Sequence, residues 1–208
     1  QRQMCIRDSS TGDGDDLVIL KNATAVANST VDGGASNDNF TFELAGDYWS
    51  KGNNILQITD ASQLIDSDFT NFKNIDLIVG AASGNSSFVL GKKSQDASIK
   101  GILSGSGNDT LNLSDYTTGK DLTLWGGAGD DLIKFSTGAR LSEISTLVGG
   151  MGTDTLSFAV DQLSVTDTDF AKVSSIELLK TANGNNRVEL GANARAALNF
   201  AAGATVSG

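Results

Sequence analysis

Five short segments of the 208-residue chain set one carboxylate behind a glycine-rich turn: TGDGDDLVIL (11–20), GGASNDNFTF (33–42), SGSGNDTLNL (104–113), GGAGDDLIKF (126–135) and GGMGTDTLSF (149–158). The acids are Asp16, Asp38, Asp109, Asp131 and Asp154, spaced 22, 22 and 23 residues apart within their runs. Glycine permits φ > 0, so several carbonyls of such a turn can face one side and the carboxylate can join them. Roughly six to eight carbonyl and carboxylate oxygens are what Ca²⁺ prefers. The chain has no His and a single Cys, Cys5, so a soft ligand set for a transition metal is missing. One turn cannot supply that many oxygens, but stacked turns can if each ion sits between a turn and its equivalent one period on. The pairs Asp16/Asp38, Asp109/Asp131 and Asp131/Asp154 then imply about three ions along one edge. The expected ligand turns comprise the five aspartates with Gly12, Gly14, Gly33, Gly105, Gly107, Gly127, Gly129, Gly150 and Gly152. Asp131, in the middle of the run of three, borders two such gaps; each of the other acids borders one.

Other chemistries find little support. Without His there is no Ser-His-Asp or Cys-His catalysis and no His-ligated zinc, and no enzyme activity is expected. A net charge of −10 argues against a nucleic-acid surface, which needs clustered Lys and Arg. The acids are 21 Asp and four Glu, a bias toward turns rather than helices. No apolar run approaches the roughly 18 residues of a membrane span. Three weaker copies, GNNILQI (52–58), SGNSSFVL (83–90) and NGNNRVEL (183–190), place Asn54, Ser86 and Asn186 where the acid stands elsewhere. These read as metal-free turns in which the polar side chain bonds the backbone. Asp13, Asp15 and Asp130 read as solvated acids. Tyr48, Trp49, Tyr116 and Trp125 follow no common period, which points to loop packing rather than a glycan platform.

The elements that must position the turns are strands. Behind each turn stands an apolar pair two residues apart: Val18/Leu20, Phe40/Phe42, Leu56/Ile58, Phe88/Leu90, Leu111/Leu113, Ile133/Phe135, Leu156/Phe158 and Val188/Leu190. A spacing of two puts both members on one face of a strand, with Asn112, Lys134, Ser157 and Glu189 facing out. A second alternation precedes the next turn, as in Leu122 and Leu124, or Ile75, Leu77 and Val79. Each coil reads strand, loop, strand, glycine turn, and neither strand buries its face alone. The expected fold class is all-β, a right-handed parallel β-roll or β-solenoid of about eight coils of roughly 22 residues. DASQLIDSDFTNF (60–72) has room for a helical turn. A longer repeat contains the shorter one, since 68–91 matches 169–191 and 11–42 matches 126–158. The chain therefore divides into a partial module (11–67), a full module (68–168) and a partial module (169–208). Residues 1–10 share no composition with the rest and read as a non-native, adaptor-like segment, and the whole as an interior fragment of a longer protein.

The turns resemble the repeats-in-toxin (RTX) calcium-binding nonapeptide, GGxGxDx followed by an apolar residue and one more. The best matches are Gly126–Lys134 and Gly149–Ser157. Ser104–Asn112 and Thr11–Ile19 depart at the first glycine, and Gly33–Thr41 has Ser36 in place of the third. The module around the turns is similar to those of long bacterial surface and S-layer-like proteins. The resemblance implies a structural or adhesive segment at the bacterial cell surface. It would be secreted by the type I route and would fold on calcium outside the cell. Calcium, neighbouring surface-protein copies and cell-surface glycans are the implied partners. In that family both edges of the roll bind calcium, whereas here SDYTTGK and STGARLSE occupy the second edge, so ions are expected along one edge only. Other readings are a carbohydrate- or ice-binding solenoid and the non-catalytic repeat portion of a secreted enzyme or toxin.

Overall fold

The short alternating stretches form strands, and every strand pairing is parallel among the residues that the computed structural model describes. Those residues are 8–10, 17–21, 30–32, 39–43, 55–58, 61, 63–72, 75–116, 121–161, 164–199 and 205–207, with side-chain packing described between 56 and 199. A first sheet runs in chain order through Asp8–Ser10, Thr30–Asp32, Ile55–Gln57, Leu77–Val79, Gly101–Leu103, Thr123–Ala128, Thr146–Met151 and Val173–Ser174. A second runs through Gln63–Ile65, Ser87–Val89, Thr110–Leu113, Leu132–Phe135, Thr155–Phe158, Leu178–Lys180 and Thr205–Ser207. Two smaller pairs join Leu17–Lys21 to Asn39–Glu43 and Ser164–Val165 to Arg187–Val188. Parallel neighbours cannot be closed by a tight hairpin. Here the return path of each strand is a strand of the other sheet, which makes the architecture all-β and solenoid-like.

The core lies between the two sheets. Ile78, Ile102, Leu124 and Leu147 stand in register along the first, and Phe88, Leu111, Ile133, Leu156 and Leu179 along the second. All are buried within one continuous apolar cluster. The expected pairs from Phe88/Leu90 to Leu156/Phe158 are buried together. Asn112 and Lys134 are partly exposed between theirs, while Ser157 is buried.

Helical pieces are short: α1 (Lys92–Asp96), α2 (Ala139–Glu143, inside the expected STGARLSE loop) and α3 (Ala192–Ala197), with 3₁₀ turns at Asp66–Asn71 and Asp167–Lys172. Helices of one or two turns do not persist unaided, and α1 and α3 are held by an acid from the preceding coil. The Asp66 carboxylate accepts the N–H groups of Gly91, Lys93 and Ser94 at 2.8, 3.0 and 2.8 Å. Asp167 accepts those of Gly191, Asn193 and Ala194 at 2.9, 3.3 and 2.9 Å. The Ile75 N–H donates to Ala97 O and the Ile176 N–H to Ala197 O. The hundred-residue repeat thus carries one local design twice.

Several expectations are corrected. Ile55–Gln57 pairs with Leu77–Val79 in the first sheet, so it precedes a turn instead of following one. The second-sheet strand of that coil is Gln63–Ile65. Arg187–Val188 pairs outside both large sheets, and Leu190 is 42% exposed. In NIDLIVG the inward residues are Ile75, as expected, and Ile78, with Leu77 and Val79 turned outward. An unbroken apolar run does not fix its own phase, and a slip of one residue exchanges the faces. Asp8–Ser10, within the segment read as non-native, pairs with Thr30–Asp32. Trp125 is a strand residue rather than a loop residue, while Tyr116 is buried.

Phe135 stands between Leu113 and Phe158 in the second sheet and is 2% exposed. Truncation to Ala is expected to cost about 3–5 kcal/mol, as for other buried aromatic residues. Equilibrium denaturation checks this; a change under about 1 kcal/mol would contradict the packing.

Candidate metal-binding edge

Turns at 104–109, 126–131 and 149–154 carry the chain from the first sheet to the second. Two glycines of each, Gly105 and Gly107, Gly127 and Gly129, and Gly150 and Gly152, have φ between +111° and +131°, a region closed to most side chains. They also stack at very close range. A Cβ on Gly127 would overlap Gly105 O, and one on Gly150 would overlap Gly127 O. Gly129 and Gly152 bear the same relation to Gly107 O and Gly129 O. Glycine is therefore needed twice over, for its φ and for the carbonyl of the neighbouring coil pressed against its Cα. Gly12, Gly14, Gly33, Asp16, Asp38 and Asn54 lie outside the described residues.

Asp109, Asp131 and Asp154 each immediately precede a strand, and the register Thr110–Leu132–Thr155 sets them side by side. They are 1%, 2% and 0% exposed. One oxygen of each is used: Oδ1 accepts the N–H of Ser86 at 2.6 Å, of Asp109 at 2.8 Å and of Asp131 at 2.9 Å, respectively. The other is not. Oδ2 of all three is buried without a hydrogen-bond partner, a costly state for an ionised carboxylate. Burial pushes all three acids up to about 6, against the opposing pull of the N–H bond each accepts. Asp131 is raised further by Asp109 and Asp130, and Asp154 by Asp131, Glu177 and Asp130.

The unused oxygens of Asp131 and Asp154 lie beside main-chain carbonyls. A Cβ on Gly126 would collide with both Asp131 Oδ2 and Gly149 O, and one on Gly149 with both Asp154 Oδ2 and Ser175 O. The gaps after Asp131 and after Asp154 thus each gather an unbonded carboxylate oxygen from one coil and a carbonyl oxygen from the next. Among the described residues no three His, Cys, Asp or Glu side chains gather as a metal cage, so a cation here would take most of its ligands from the main chain. An orphaned carboxylate oxygen beside a main-chain carbonyl is a pair of hard oxygens, the ligand class that Ca²⁺ uses.

A second ladder runs beside the first in the opposite sense. The Asn108 N–H donates to Asn85 Oδ1 at 2.8 Å, Asp130 N–H to Asn108 Oδ1 at 2.9 Å, and Thr153 N–H to Asp130 Oδ1 at 2.7 Å. Asp130 is therefore tied into the edge rather than merely solvated. The inner acids accept from the coil before them and the outer side chains from the coil after, so slippage in either direction breaks bonds.

Of the acid-free turns, the one at Ser86 departs from expectation and the one at Asn186 follows it. Ser86 holds the ladder position, but its Oγ is buried and unbonded. Asn186 bonds Ala182 O and Gly184 O through its amide, yet it does not continue the ladder. Glu177 does, accepting the Asp154 N–H at 2.9 Å. Sequence reasoning also passed over Gly126 and Gly149, although they are the first glycines of the two best-formed turns, because their φ is ordinary and only the missing Cβ matters.

No protein-family model, curated protein or solved structure matches the chain.

The raised acids give a pH dependence of definite sign. A carboxylate whose folded pKa exceeds its unfolded value stabilises the fold below the unfolded value, and that stability is lost as pH rises through the folded one. Metal-free protein should therefore melt at a higher temperature near pH 5 than at pH 7.5. Asp66, where burial pulls upward but the N–H groups it accepts together win, and Asp167, held low by the N–H groups it accepts, lie below the usual carboxylate range and stay ionised across this window. Thermal melts in chelator check the sign; a melting temperature that falls on acidification to pH 5 would contradict the burial of these acids.

Proposed function

We propose that the chain is a calcium-binding structural or adhesive repeat segment of a long secreted bacterial surface protein. The observation that carries this reading is the column of three buried carboxylate oxygens without partners in successive coils. A protein that buries such a column at neutral pH needs either protons or cations along it, and calcium matches the surrounding carbonyls. The turn motif's resemblance to the RTX nonapeptide supports the same ion. It also favours the finer fold, a right-handed β-roll of about eight coils of roughly 22 residues. The proposed ions, about three along one edge, lie in the gaps Asp16/Asp38, Asp109/Asp131 and Asp131/Asp154.

Export follows from the same electrostatics. With little calcium in the cytosol, a chain of net charge −10 repels itself and its acid column stays uncompensated, which favours the unfolded, translocatable state. Outside the cell calcium would neutralise the column, and its binding free energy becomes folding free energy. Type I secretion and a place at the bacterial surface belong to this proposal. Among the described residues no helix is long and apolar enough to cross a membrane.

A second reading, a glycan-binding face, has one observation behind it. Trp125 is 39% exposed on the outward side of the first sheet, in register with Leu103 and Val148. Trp125→Ala would abolish binding to a polysaccharide column on this reading and leave calcium binding intact.

Three sites filled at a hundredfold excess over Kd would add about 8 kcal/mol, or a rise in melting temperature on the order of 20 °C for a chain of this size. Calorimetric melts in calcium and in EDTA test the proposal, and magnesium should substitute poorly because it demands tight octahedral geometry. Identical melts in calcium and EDTA would refute it.

A further inference from the structure

The column of acids continues beyond the last glycine turn. The strands beginning at Thr110, Leu132, Thr155 and Leu178 are in register. Asp109, Asp131, Asp154 and Glu177, each one residue ahead of its strand, therefore share one position in successive coils. Glu177 repeats the ladder contact: its Oε2 accepts the Asp154 N–H at 2.9 Å, just as Asp154 Oδ1 accepts the Asp131 N–H at 2.9 Å. The turn before it is unlike the others. Residues 173–177 read VSSIE without a glycine, and Ser175 itself has φ +54°. Even so, the Ser175 carbonyl stands over Gly149 as the Gly149 carbonyl stands over Gly126. Into this gap points Asp154 Oδ2, fully buried and without a hydrogen-bond partner.

We infer that the gap between Asp154 and Glu177 is a further calcium site, formed by Asp154 Oδ2, the Ser175 carbonyl and the Glu177 carboxylate. The inference rests on the calcium reading above and extends the metal edge one coil past the glycine motif. Glutamate suits the position. Both the Glu177 and Leu178 N–H groups donate to Asp154 O, at 3.1 and 2.9 Å, which pins the main chain there. The extra methylene of glutamate lets the carboxylate reach from that pinned backbone to the column. The carboxylate also supplies a second negative charge to a gap whose other walls are neutral carbonyls, and calcium affinity rises with ligand charge.

The extension changes the standing of Asp154. A ladder ending at Asp154 would leave it bordering one ion; a ladder ending at Glu177 makes it border two, like Asp131. Calorimetric titration of the full chain with calcium chloride, with bound calcium counted by equilibrium dialysis, separates the cases. Asp154→Asn should lose as many ions as Asp131→Asn, about two each. Glu177→Gln should lose about one, because the amide oxygen still accepts the Asp154 N–H while the charge is gone. A Glu177→Gln variant that binds as many ions as the parent would overturn the inference. So would Asp154→Asn losing one ion where Asp131→Asn loses two, a comparison that decides the matter even if Glu177→Gln fails to fold. Either result leaves the calcium reading standing, whereas a parent that binds no calcium overturns both.

Discussion

Burying like charges in register is the constraint on which this edge depends. Parallel strands lie about 4.8 Å apart, and coils whose acids are 22 and 23 residues apart bring Asp109, Asp131 and Asp154 to that spacing. Each acid satisfies one oxygen on the coil before it and leaves the other without a partner. Burial is what chiefly raises the proton affinity of all three acids, and repulsion from neighbouring acids adds to it at Asp131 and Asp154. Something positive must relieve it, either a proton on each acid or a cation between acids. The glycines serve the same constraint from the other side. They let each carbonyl press against the Cα of the neighbouring coil, which sets main-chain oxygens along the column.

Register is also what the surrounding contacts enforce. The inner and outer ladders run in opposite senses along the turns, so neither permits a coil to slide. On the far side of the core, Asp66 and Asp167 reach forward about one coil and hold short helices by their free N–H groups. A helix N-terminus welcomes an acid whether or not it comes from the same segment. Beneath both edges the in-register rows of Ile, Leu and Phe form the core that one coil could not close alone. A side chain lost from one row opens a gap shared by two neighbours, which couples core packing to the geometry of the edge.

The turns at 104–109, 126–131 and 149–154 were legible in the sequence because each ends on a glycine with an acid two residues on, at a nearly constant period. Backbone that needs φ > 0 at the same step of every coil leaves that mark in any sequence that builds it. Where the glycines lapsed, legibility went with them. GNNILQI and SGNSSFVL look alike as strings, yet Ile55–Gln57 and Ser87–Val89 belong to different sheets, because nothing in an acid-free turn marks which strand follows it. The phase of NIDLIVG was hidden for a related reason: with three apolar residues in succession, only pairing with Gly101–Leu103 settles that Ile78 points inward. Glu177 escaped notice because it reaches the ladder from an ordinary-looking strand, and its place depends on the tertiary register of Leu178 with Thr155. The outer ladder of Asn85, Asn108 and Asp130 was visible only as polar residues at a turn.

The most direct test is a crystal structure of the protein grown with calcium, with anomalous difference data collected where calcium scatters. The account predicts peaks between successive acids of the column, each about 2.3–2.6 Å from an Oδ2 atom and from main-chain carbonyl oxygens. A column without such peaks, in which each Oδ2 instead sits at hydrogen-bond distance from a carbonyl as a protonated acid would, would contradict it.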